Sequence, residues 1–209
     1  MVLIMNIYFP LYNNFGTTER SIEIPIIEYF LDHNTHEEIL EIGNVSFYYY
    51  SRFINRLKKI DVVDKIEQGI GVITSDIAKY EPKKKYDFIF SISTFEHMDS
   101  DRGRNKDYIP GIAKHETVAM DNIFYCYNSL LMNGGMLVIT ALLSYTNEWD
   151  ETFIKISNYS SYFLNMERLV FKRVNEFEWE QLNSEQISHL LKLKNIPFNK
   201  YLSVLSIKK

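Results

Sequence analysis

Two aspartates follow apolar runs of the sequence, at positions that suit the recognition of a nucleoside. Asp64 ends the run 60–64, and Asp76 follows the run 71–75. A carboxylate has two acceptor oxygens, so Asp64 can accept hydrogen bonds from both vicinal hydroxyls of a ribose. Asp76, beside the apolar Ile77, can hold the exocyclic amine and one face of an adenine. The two acids together predict an adenosine site, and the competing interpretation of each is a turn residue at the end of a strand.

Polar residues also end two other apolar runs. The run 39–42 contains Glu41 and is followed by Gly43, and the run 86–92 contains Ser91. Ligands of an open α/β sheet bind outside the carboxyl ends of its strands, near the point where the strand order reverses. We therefore expect these runs to be strands whose polar ends line one rim of a sheet.

Candidates for a catalytic base come directly after the run 86–92. His97 is the best of them because its unperturbed pKa lies near neutrality, and Glu96 and Asp99 are the alternatives. A substrate hydroxyl that reacts as a nucleophile would lose its proton to such a base. The competing interpretation of His97 is a residue that caps or packs a short helix after that strand.

The spacing of apolar residues predicts the elements that position these side chains. Apolar stripes at intervals of three and four residues predict helices between the strands. Strands are predicted at 38–42, 60–64, 71–75, 86–92 and 136–142. This alternation is typical of an α/β fold with a doubly wound parallel sheet.

The last third of the chain has a different pattern. Strands are predicted at 169–174 and 201–207, with a helix from Ser184 to about Lys194 between them. Asn183 is the predicted cap of that helix. Because the alternation of strand and helix stops here, we expect a terminal antiparallel pair that completes the same sheet.

Local signals predict where other helices begin and end. Pro25 suits the first position of a helix, where a missing N–H costs nothing. A helix over 46–59 is predicted with Ser46 as its cap. A later helix is predicted to be stopped by Gly134 and Gly135.

Composition excludes several classes of function. The net charge is −4, from 23 basic and 27 acidic residues, so duplex nucleic acid is not an expected partner. Cys126 is the only cysteine of the sequence, which rules out an intrachain disulfide and a Cys/His zinc cluster. No metal-ligand spacing links the histidines. Since no apolar run is long enough to cross a bilayer or to form a signal peptide core, we expect a cytoplasmic protein without membrane insertion.

The order of these motifs resembles that of the class I S-adenosylmethionine-dependent methyltransferases. The segments that carry the resemblance are Ile39–Gly43, Val62–Asp64, Ser75–Ile77, Tyr86–Ser91 and Leu131–Val138. The resemblance covers residues from about 37 to 142. The resemblance implies S-adenosylmethionine as the cofactor and a Rossmann-like, seven-stranded sheet that is mostly parallel with a C-terminal antiparallel strand pair. The cofactor-binding residues that it implies are Glu41, Gly43, Asp64, Asp76, Ile77 and Ser91.

The resemblance gives each end of the cofactor its own residues. Glu41 and Gly43 would shape the methionine end, and Ser91 the neighbourhood of the methyl sulfonium. The ribose and adenine would fall to the two aspartates. The family usually has glycines two and four residues beyond the first, but Val45 and Phe47 stand at those places here. Side chains there narrow the approach, so either the loop takes another path or cofactor binding is weakened or lost.

Four segments look closer to a bacterial subset that is often tied to surface-glycan gene clusters. They are Glu19–Pro25, Glu41–Val45, Val63–Glu67 and Ser91–His97. The subset implies a small polar methyl acceptor, such as a sugar or glycan precursor. Arg20, Tyr145 and Asn147 are predicted to contact that substrate, the alternatives being an exposed ion pair and a surface loop.

The sequence thus predicts one methyltransferase-like domain over 1–209. It comprises an N-terminal segment and helix at 1–36, a cofactor-binding core at 37–142, and a substrate-side region with the terminal strand pair at 143–209. The polar stretch 99–113 is predicted to be a binding loop or lid. Two rivals remain: a non-catalytic binding or scaffold relative, and a nicotinamide-dependent reductase, whose Gly-x-Gly-x-x-Gly turn the sequence lacks.

Overall fold

A computed structural model describes residues 19–33, 35–53, 55, 59–98, 117–144, 147–163, 165–175, 178–193, 196–197 and 200–209 of the chain. Its strands are β1 (Ile39–Ile42), β2 (Ile60–Asp64), β3 (Val72–Thr74), β4 (Tyr86–Ile92), β5 (Leu131–Leu142), β6 (Asn165–Arg173), β7 (Trp179–Gln181) and β8 (Tyr201–Lys208). Its α-helices are α1 (Arg20–Asp32), α2 (Tyr50–Phe53), α3 (Val118–Tyr125), α4 (Asn147–Lys155) and α5 (Ser184–Leu190).

Within this part of the chain, eight strands form one sheet in the order β3-β2-β1-β4-β5-β8-β6-β7. Strands β1 to β5 run parallel, and β8 is antiparallel to both β5 and β6. The predicted α/β class and the antiparallel C-terminal strands are confirmed. The expected count of seven strands is wrong, because the short β7 pairs with β6 and adds an eighth.

Helices cover both faces of the sheet, as a parallel sheet requires. On one face, α1 contributes Ile24 and Ile27 to an apolar cluster that includes Phe88 and Phe90 of β4. On the other face, residues of α3, α4 and α5 pack against the alternate side chains of the strands, among them Ile89. Burial on both sides explains why β4 is an almost continuous apolar run. The doubly wound arrangement places the reversal of strand order between β1 and β4.

Two predicted helix boundaries are wrong, and both were predicted from a proline or glycine taken as the start or end of a helix. Helix α1 begins at Arg20, so Pro25 lies inside it. The burial of Ile24 and Ile27 explains why the helix tolerates the lost N–H hydrogen bond. Gly134 and Gly135 do not stop a helix but lie within β5. Gly134 has a φ of 83°, and its N–H donates to the Lys209 carbonyl over 2.7 Å.

The predicted helix over 46–59 is also largely wrong in the described residues. Turns occupy 46–49, and α2 covers only Tyr50–Phe53. Ser46 caps no helix, because its buried hydroxyl donates to the carboxylate of Glu41. In contrast, the predicted cap of α5 is confirmed: Asn183 and Gln186 form a reciprocal capping box.

Candidate active site

A cavity of about 280 Å³ opens at the carboxyl ends of β1, β2 and β4, beside the reversal of strand order. This is where an open α/β sheet is expected to bind a ligand. The predicted site residues that line it are Gly43, Asp64, Asp76, Ile77 and His97. Residues far apart in the sequence are therefore brought to one site. The two aspartates predicted to hold a nucleoside share the same cavity.

Asp64 holds the turn that follows β2. Its Oδ1 accepts hydrogen bonds from the N–H groups of Ile66 and Glu67, both over 2.8 Å. Both bonds use one carboxylate oxygen, so Oδ2 is the oxygen suited to a ligand. The side chain thus combines the two sequence interpretations, since it organises a turn and also lines the cavity.

Asp76 reaches the same cavity because β2 and β3 end together. The Ser75 N–H donates to the Asp64 carbonyl over 2.9 Å, which aligns the two strand ends. Asp76 then caps a short 3₁₀ turn at Ile77–Lys79, where its Oδ1 accepts from the Ala78 N–H over 3.1 Å. Its Oδ2 lies 3.4 Å from the Lys65 ammonium. The cap also places the buried side chain of Ile77 against the cavity.

Gly43 is a position that only glycine suits. Its φ is 89°, a conformation that side chains rarely adopt. A Cβ built there would overlap Thr94 Oγ1 and lie 3.1 Å from Thr94 Cβ. The Gly43 N–H donates to the Val63 carbonyl over 2.8 Å. The close approach of Gly43 to Thr94 therefore joins the ends of β1, β2 and β4.

Glu41 and Ser91 shape the site from beneath and do not line the cavity. The buried Glu41 accepts hydrogen bonds from the N–H groups of Val45 and Ser46, each over 2.9 Å. Burial raises the pKa of this carboxyl to about 7. Ser91 donates to the Ile42 carbonyl over 2.8 Å. Both side chains fix the backbone that leaves β1.

The residues that replace the family's two later glycines point elsewhere. Val45 and Phe47 pack against the apolar cluster on the α1 face of the sheet, and neither lines the cavity. The loop after β1 is tied instead to the loop after β2, because Glu67 accepts hydrogen bonds from Asn44 Nδ2 over 2.6 Å and from the Tyr48 hydroxyl over 3.1 Å. Val45 and Phe47 therefore leave the cavity open.

His97 and Glu96 lie on a short 3₁₀ turn after β4, Phe95–His97. The His97 side chain is 49% exposed, and its Nε2 lies 3.9 Å from Glu96 Oε1. Desolvation, followed by the charge of Arg20, lowers the pKa of His97. The imidazole is therefore neutral at physiological pH and able to accept a proton, as a general base must.

Glu96 is buried, and it accepts a hydrogen bond from the Leu142 N–H over 2.7 Å. Burial, assisted by the negative charge of Glu23, raises the pKa of Glu96 to about 9. A carboxyl with that pKa is protonated at neutral pH and does not act as a base. Of the two predicted catalytic residues, the electrostatics favour His97.

A buried group that the sequence does not single out lies beside this turn. Glu23, on α1, is fully buried, and its Oε1 accepts hydrogen bonds from the hydroxyls of Ser93 and Thr140, each over 2.8 Å. Arg20 forms an ion pair with Glu23 through Nη1 and lies 3.9 Å from Glu19. Arg20, predicted to contact a ligand, therefore neutralises a buried acid.

Of the remaining predicted substrate residues, Asn147 is the first residue of α4. Tyr145 lies outside the described residues, as do Asp99 and the stretch 99–113. In the described part of the chain, no group of three or more acidic, histidine or cysteine side chains could hold a metal ion. None of its helices is long and apolar enough to span a membrane.

Sequence reasoning missed other residues of the cavity as well. Lys65, Thr94 and Asn122 also line it, but no pattern in the sequence distinguishes these residues from other polar residues. A signal was available for Glu23, because this acid interrupts the apolar stretch 22–27. An acid inside a buried stripe must find partners.

No family model matches the sequence. One curated protein is 28% identical over 167 residues, malonyl-[acyl-carrier protein] O-methyltransferase 2 of Ilyobacter polytropus. The alignment covers 71% of this chain and 56% of that protein, so the chain spans about half the length of the relative it matches.

Several solved structures share the fold. N-methyltransferase NodS from Bradyrhizobium japonicum WM9, in complex with S-adenosyl-L-homocysteine, is 14% identical with a TM-score of 0.54, over 91% of this chain and 87% of that one. A SAM-dependent methyltransferase from Archaeoglobus fulgidus is 16% identical with a TM-score of 0.51, over 91% and 95% of the two chains. Plantazolicin methyltransferase BpumL, bound to a desmethyl analogue and S-adenosyl-L-homocysteine, is 15% identical with a TM-score of 0.50, over 90% and 83%.

At these identities the structural likeness defines the architecture and not the chemistry. The chain has the α/β fold of the class I S-adenosylmethionine-dependent methyltransferases.

Proposed function

We propose that this chain is an S-adenosylmethionine-dependent methyltransferase that acts on a small polar acceptor. The observation that carries the proposal is the convergence of Asp64, Asp76 and Ile77 on one cavity, with Gly43 at its edge. Acceptor oxygens for a ribose and an adenine amine stand beside an apolar surface for the base. The solved neighbours that bind S-adenosyl-L-homocysteine support the same ligand.

The residues of the cavity fit this cofactor. Asp64 would hold the ribose hydroxyls through Oδ2, and Asp76 with Ile77 would hold the adenine. The backbone at Gly43 passes close by without a side chain, and Glu41 and Ser91 support it from beneath. A volume of about 280 Å³ is near the lower end of the ~300–1,000 Å³ that ligand sites usually have.

When bound, S-adenosylmethionine supplies a methyl group on a cationic sulfur. Transfer would be an in-line displacement, in which the acceptor atom would form a bond to the methyl carbon as the carbon–sulfur bond breaks. Alignment of the two partners does much of the work. A hydroxyl acceptor would also have to lose its proton, and we propose that the neutral His97, which lines the cavity, takes it. Arg20 and Glu96 would act indirectly. Arg20 would act by its positive charge, which lowers the pKa of His97, and Glu96 would act as a protonated acid that binds the Leu142 N–H.

A sugar or glycan precursor is the acceptor that we propose, on the likeness of four segments to a glycan-linked bacterial subset. Tyr145 and Asn147 would belong to the acceptor side. A non-catalytic scaffold is less well supported, because Val45 and Phe47, the residues that motivated it, do not line the cavity.

Calorimetry with S-adenosyl-L-homocysteine tests the proposal. Binding with measurable heat and a rise in Tm is expected. Absence of both at millimolar ligand would favour a scaffold that has lost the cofactor.

Transfer of a labelled methyl group from S-adenosylmethionine to a panel of monosaccharides and nucleoside-diphosphate sugars tests the acceptor class. With any acceptor found, His97→Ala should lose turnover and keep its affinity for S-adenosyl-L-homocysteine. The exposed His189→Ala on α5 is the matched control. Full turnover by His97→Ala would remove His97 as the base.

A further inference from the structure

The segment that follows β4 carries much of the cavity wall, and its backbone is strained. Ser93, Thr94, His97 and Met98 all line the cavity. Ser93 has a φ of 45°, which is uncommon for a residue with a side chain. Strained conformations persist only where their surroundings hold them in place.

The Glu23 side chain helps to hold this turn. The Ser93 hydroxyl donates to Glu23 Oε1 over 2.8 Å, and the Ser93 N–H donates to the Thr140 carbonyl over 2.8 Å. Thr140 then donates its own hydroxyl to the same carboxylate oxygen over 2.8 Å. The turn at Ser93 is therefore bonded to α1 and to β5 at once.

The charge on Glu23 is accounted for within the protein. Three donors meet its carboxyl: two hydroxyls at Oε1, and Arg20 at Oε2. A fully buried side chain with this set of donors fits a carboxylate, because each of them is a donor to an acceptor oxygen. The positive charge of Arg20 also acts on His97, four residues beyond Ser93, and lowers its pKa after desolvation.

We propose that Glu23 is a positioning residue of the candidate active site, which fixes the Ser93 turn from α1 and thereby orders the segment that carries Thr94 and His97. Its place in the site rests on the proposed function. Its ordering of the segment does not depend on that function. Glu23 itself does not line the cavity.

Glu23→Gln is the main test, because an amide has only one acceptor oxygen and cannot accept from Arg20 and from the two hydroxyls at their present positions together. Glu28→Gln is the matched control: it lies on the same helix and breaks the ion pair with Arg52 of α2, away from the cavity. Thr140→Val is a second, milder variant that removes one donor at nearly constant volume.

Hydrogen exchange at the amides of Ser93, His97 and Met98 reads out the order of the segment, since each amide has a backbone acceptor. Glu23→Gln should speed this exchange at least about tenfold relative to Glu28→Gln, and Thr140→Val by less. A changed NMR shift of the His97 imidazole is expected in Glu23→Gln alone. In the double variant, Glu23→Gln with Thr140→Val, exchange should speed up by less than the two separate effects combined, as expected for residues in one hydrogen-bond network.

Affinity for S-adenosyl-L-homocysteine separates the two proposals. If the wild type binds, Glu23→Gln should weaken binding at least about fivefold while Glu28→Gln leaves it unchanged. If the wild type does not bind, the proposed function fails, and the exchange data alone decide the role of Glu23. Exchange and imidazole shifts in Glu23→Gln that match those of Glu28→Gln would overturn the inference. Should Glu23→Gln fail to fold, control-like exchange in Thr140→Val would overturn it equally.

Discussion

The two ends of the candidate site hold their acids in opposite ways. At the end where we propose that a nucleoside binds (the nucleoside end), Asp64 and Asp76 are partly exposed. Each accepts a hydrogen bond from a backbone N–H of the turn that follows it, and each lines the cavity. At the other end, Glu23 and Glu96 are 0% and 2% exposed, and neither faces the cavity. The same chemical group thus lines the cavity at one end and holds the surrounding structure at the other.

The contrast follows from where each acid lies in the chain. The aspartates come at strand ends, where the backbone leaves the core and solvent is near. Glu23 lies in the first turns of a buried helix, and Glu96 follows β4 beneath the end of β5. Burial raises the pKa of both glutamates, so their protonation is coupled to folding. An aspartate at a strand end is less buried, so it can be substituted or protonated with less effect on folding.

The largest expected effect is at Gly43, which links the two ends. Gly43→Ala should abolish binding of S-adenosyl-L-homocysteine and lower the free energy of unfolding by more than about 2 kcal/mol, because a left-handed conformation and contact with Thr94 are both penalised. Gly69→Ala is the control, since a Cβ there meets only Val72 Cγ2, at 3.8 Å. Calorimetry and thermal unfolding measure the two effects. Wild-type affinity in Gly43→Ala would show that the ends are not joined at this point.

Asp64→Asn sharpens the comparison at the nucleoside end. The amide oxygen keeps the hydrogen bonds from Ile66 and Glu67, but the ribose would face the amide NH2 group in place of a carboxylate oxygen. We expect affinity for S-adenosyl-L-homocysteine to fall roughly 10- to 100-fold with little change in Tm, since a hydrogen bond to a charged group contributes about 1.5–3 kcal/mol. An affinity equal to that of the wild type would leave Asp64 as a turn residue only.

Glu96→Gln tests the buried end through pH. The folded-state pKa of Glu96 is raised to about 9 from an ordinary value of 4.5, so the folded protein binds the proton more tightly than the unfolded chain does. This stability is fully present below the unfolded pKa and is lost as pH rises toward the folded pKa. Between pH 6 and pH 8, the wild type should lose roughly 1–3 kcal/mol more than Glu96→Gln does.

Denaturant unfolding at the two pH values measures this difference. The control is Glu151→Gln, whose side chain is 45% exposed beside Lys155 on α4, and it should keep the pH dependence of the wild type. Equal slopes for Glu96→Gln and the wild type would mean that Glu96 does not carry a proton at neutral pH, and the contrast between the two ends would fail.

The smallest effect is expected at the replaced glycines. Val45→Ala should change affinity for S-adenosyl-L-homocysteine by less than about threefold, because Val45 packs on the α1 face and does not line the cavity. A loss of stability of about 1 kcal/mol is expected from the deleted methyl groups. Calorimetry beside thermal unfolding separates the two. A large gain in affinity would show that Val45 obstructs the cofactor.

The sequence predicted those parts of the fold that depend on local pattern. The bounds of β2 and β4 match the predicted runs. For β4 the reason is that a strand buried on both faces reads as an almost continuous apolar stretch. The cap of α5 was equally local. The three-residue β7 was missed because it is too short to show a period. Helix α4 was missed although Trp149, Phe153 and Ile156 follow helical spacing.

The residues of the candidate site also differ in how far local sequence pattern predicts them. The strand-end residues Asp64 and Asp76 could be placed from the sequence because parallel strands end at one edge. The role of Glu23 could not, since its hydroxyl partners lie 70 and 117 residues away in the chain. The directions of Val45 and Phe47 also depend on packing against α1, which the loop sequence alone does not reveal.

A crystal structure with S-adenosyl-L-homocysteine tests the central claim most directly. We expect the nucleoside in the cavity at the ends of β1, β2 and β4, with both ribose hydroxyls within hydrogen-bond distance of the Asp64 carboxylate and the adenine amine beside Asp76. A nucleoside bound elsewhere, or bound in this cavity without contact to either aspartate, would contradict the account.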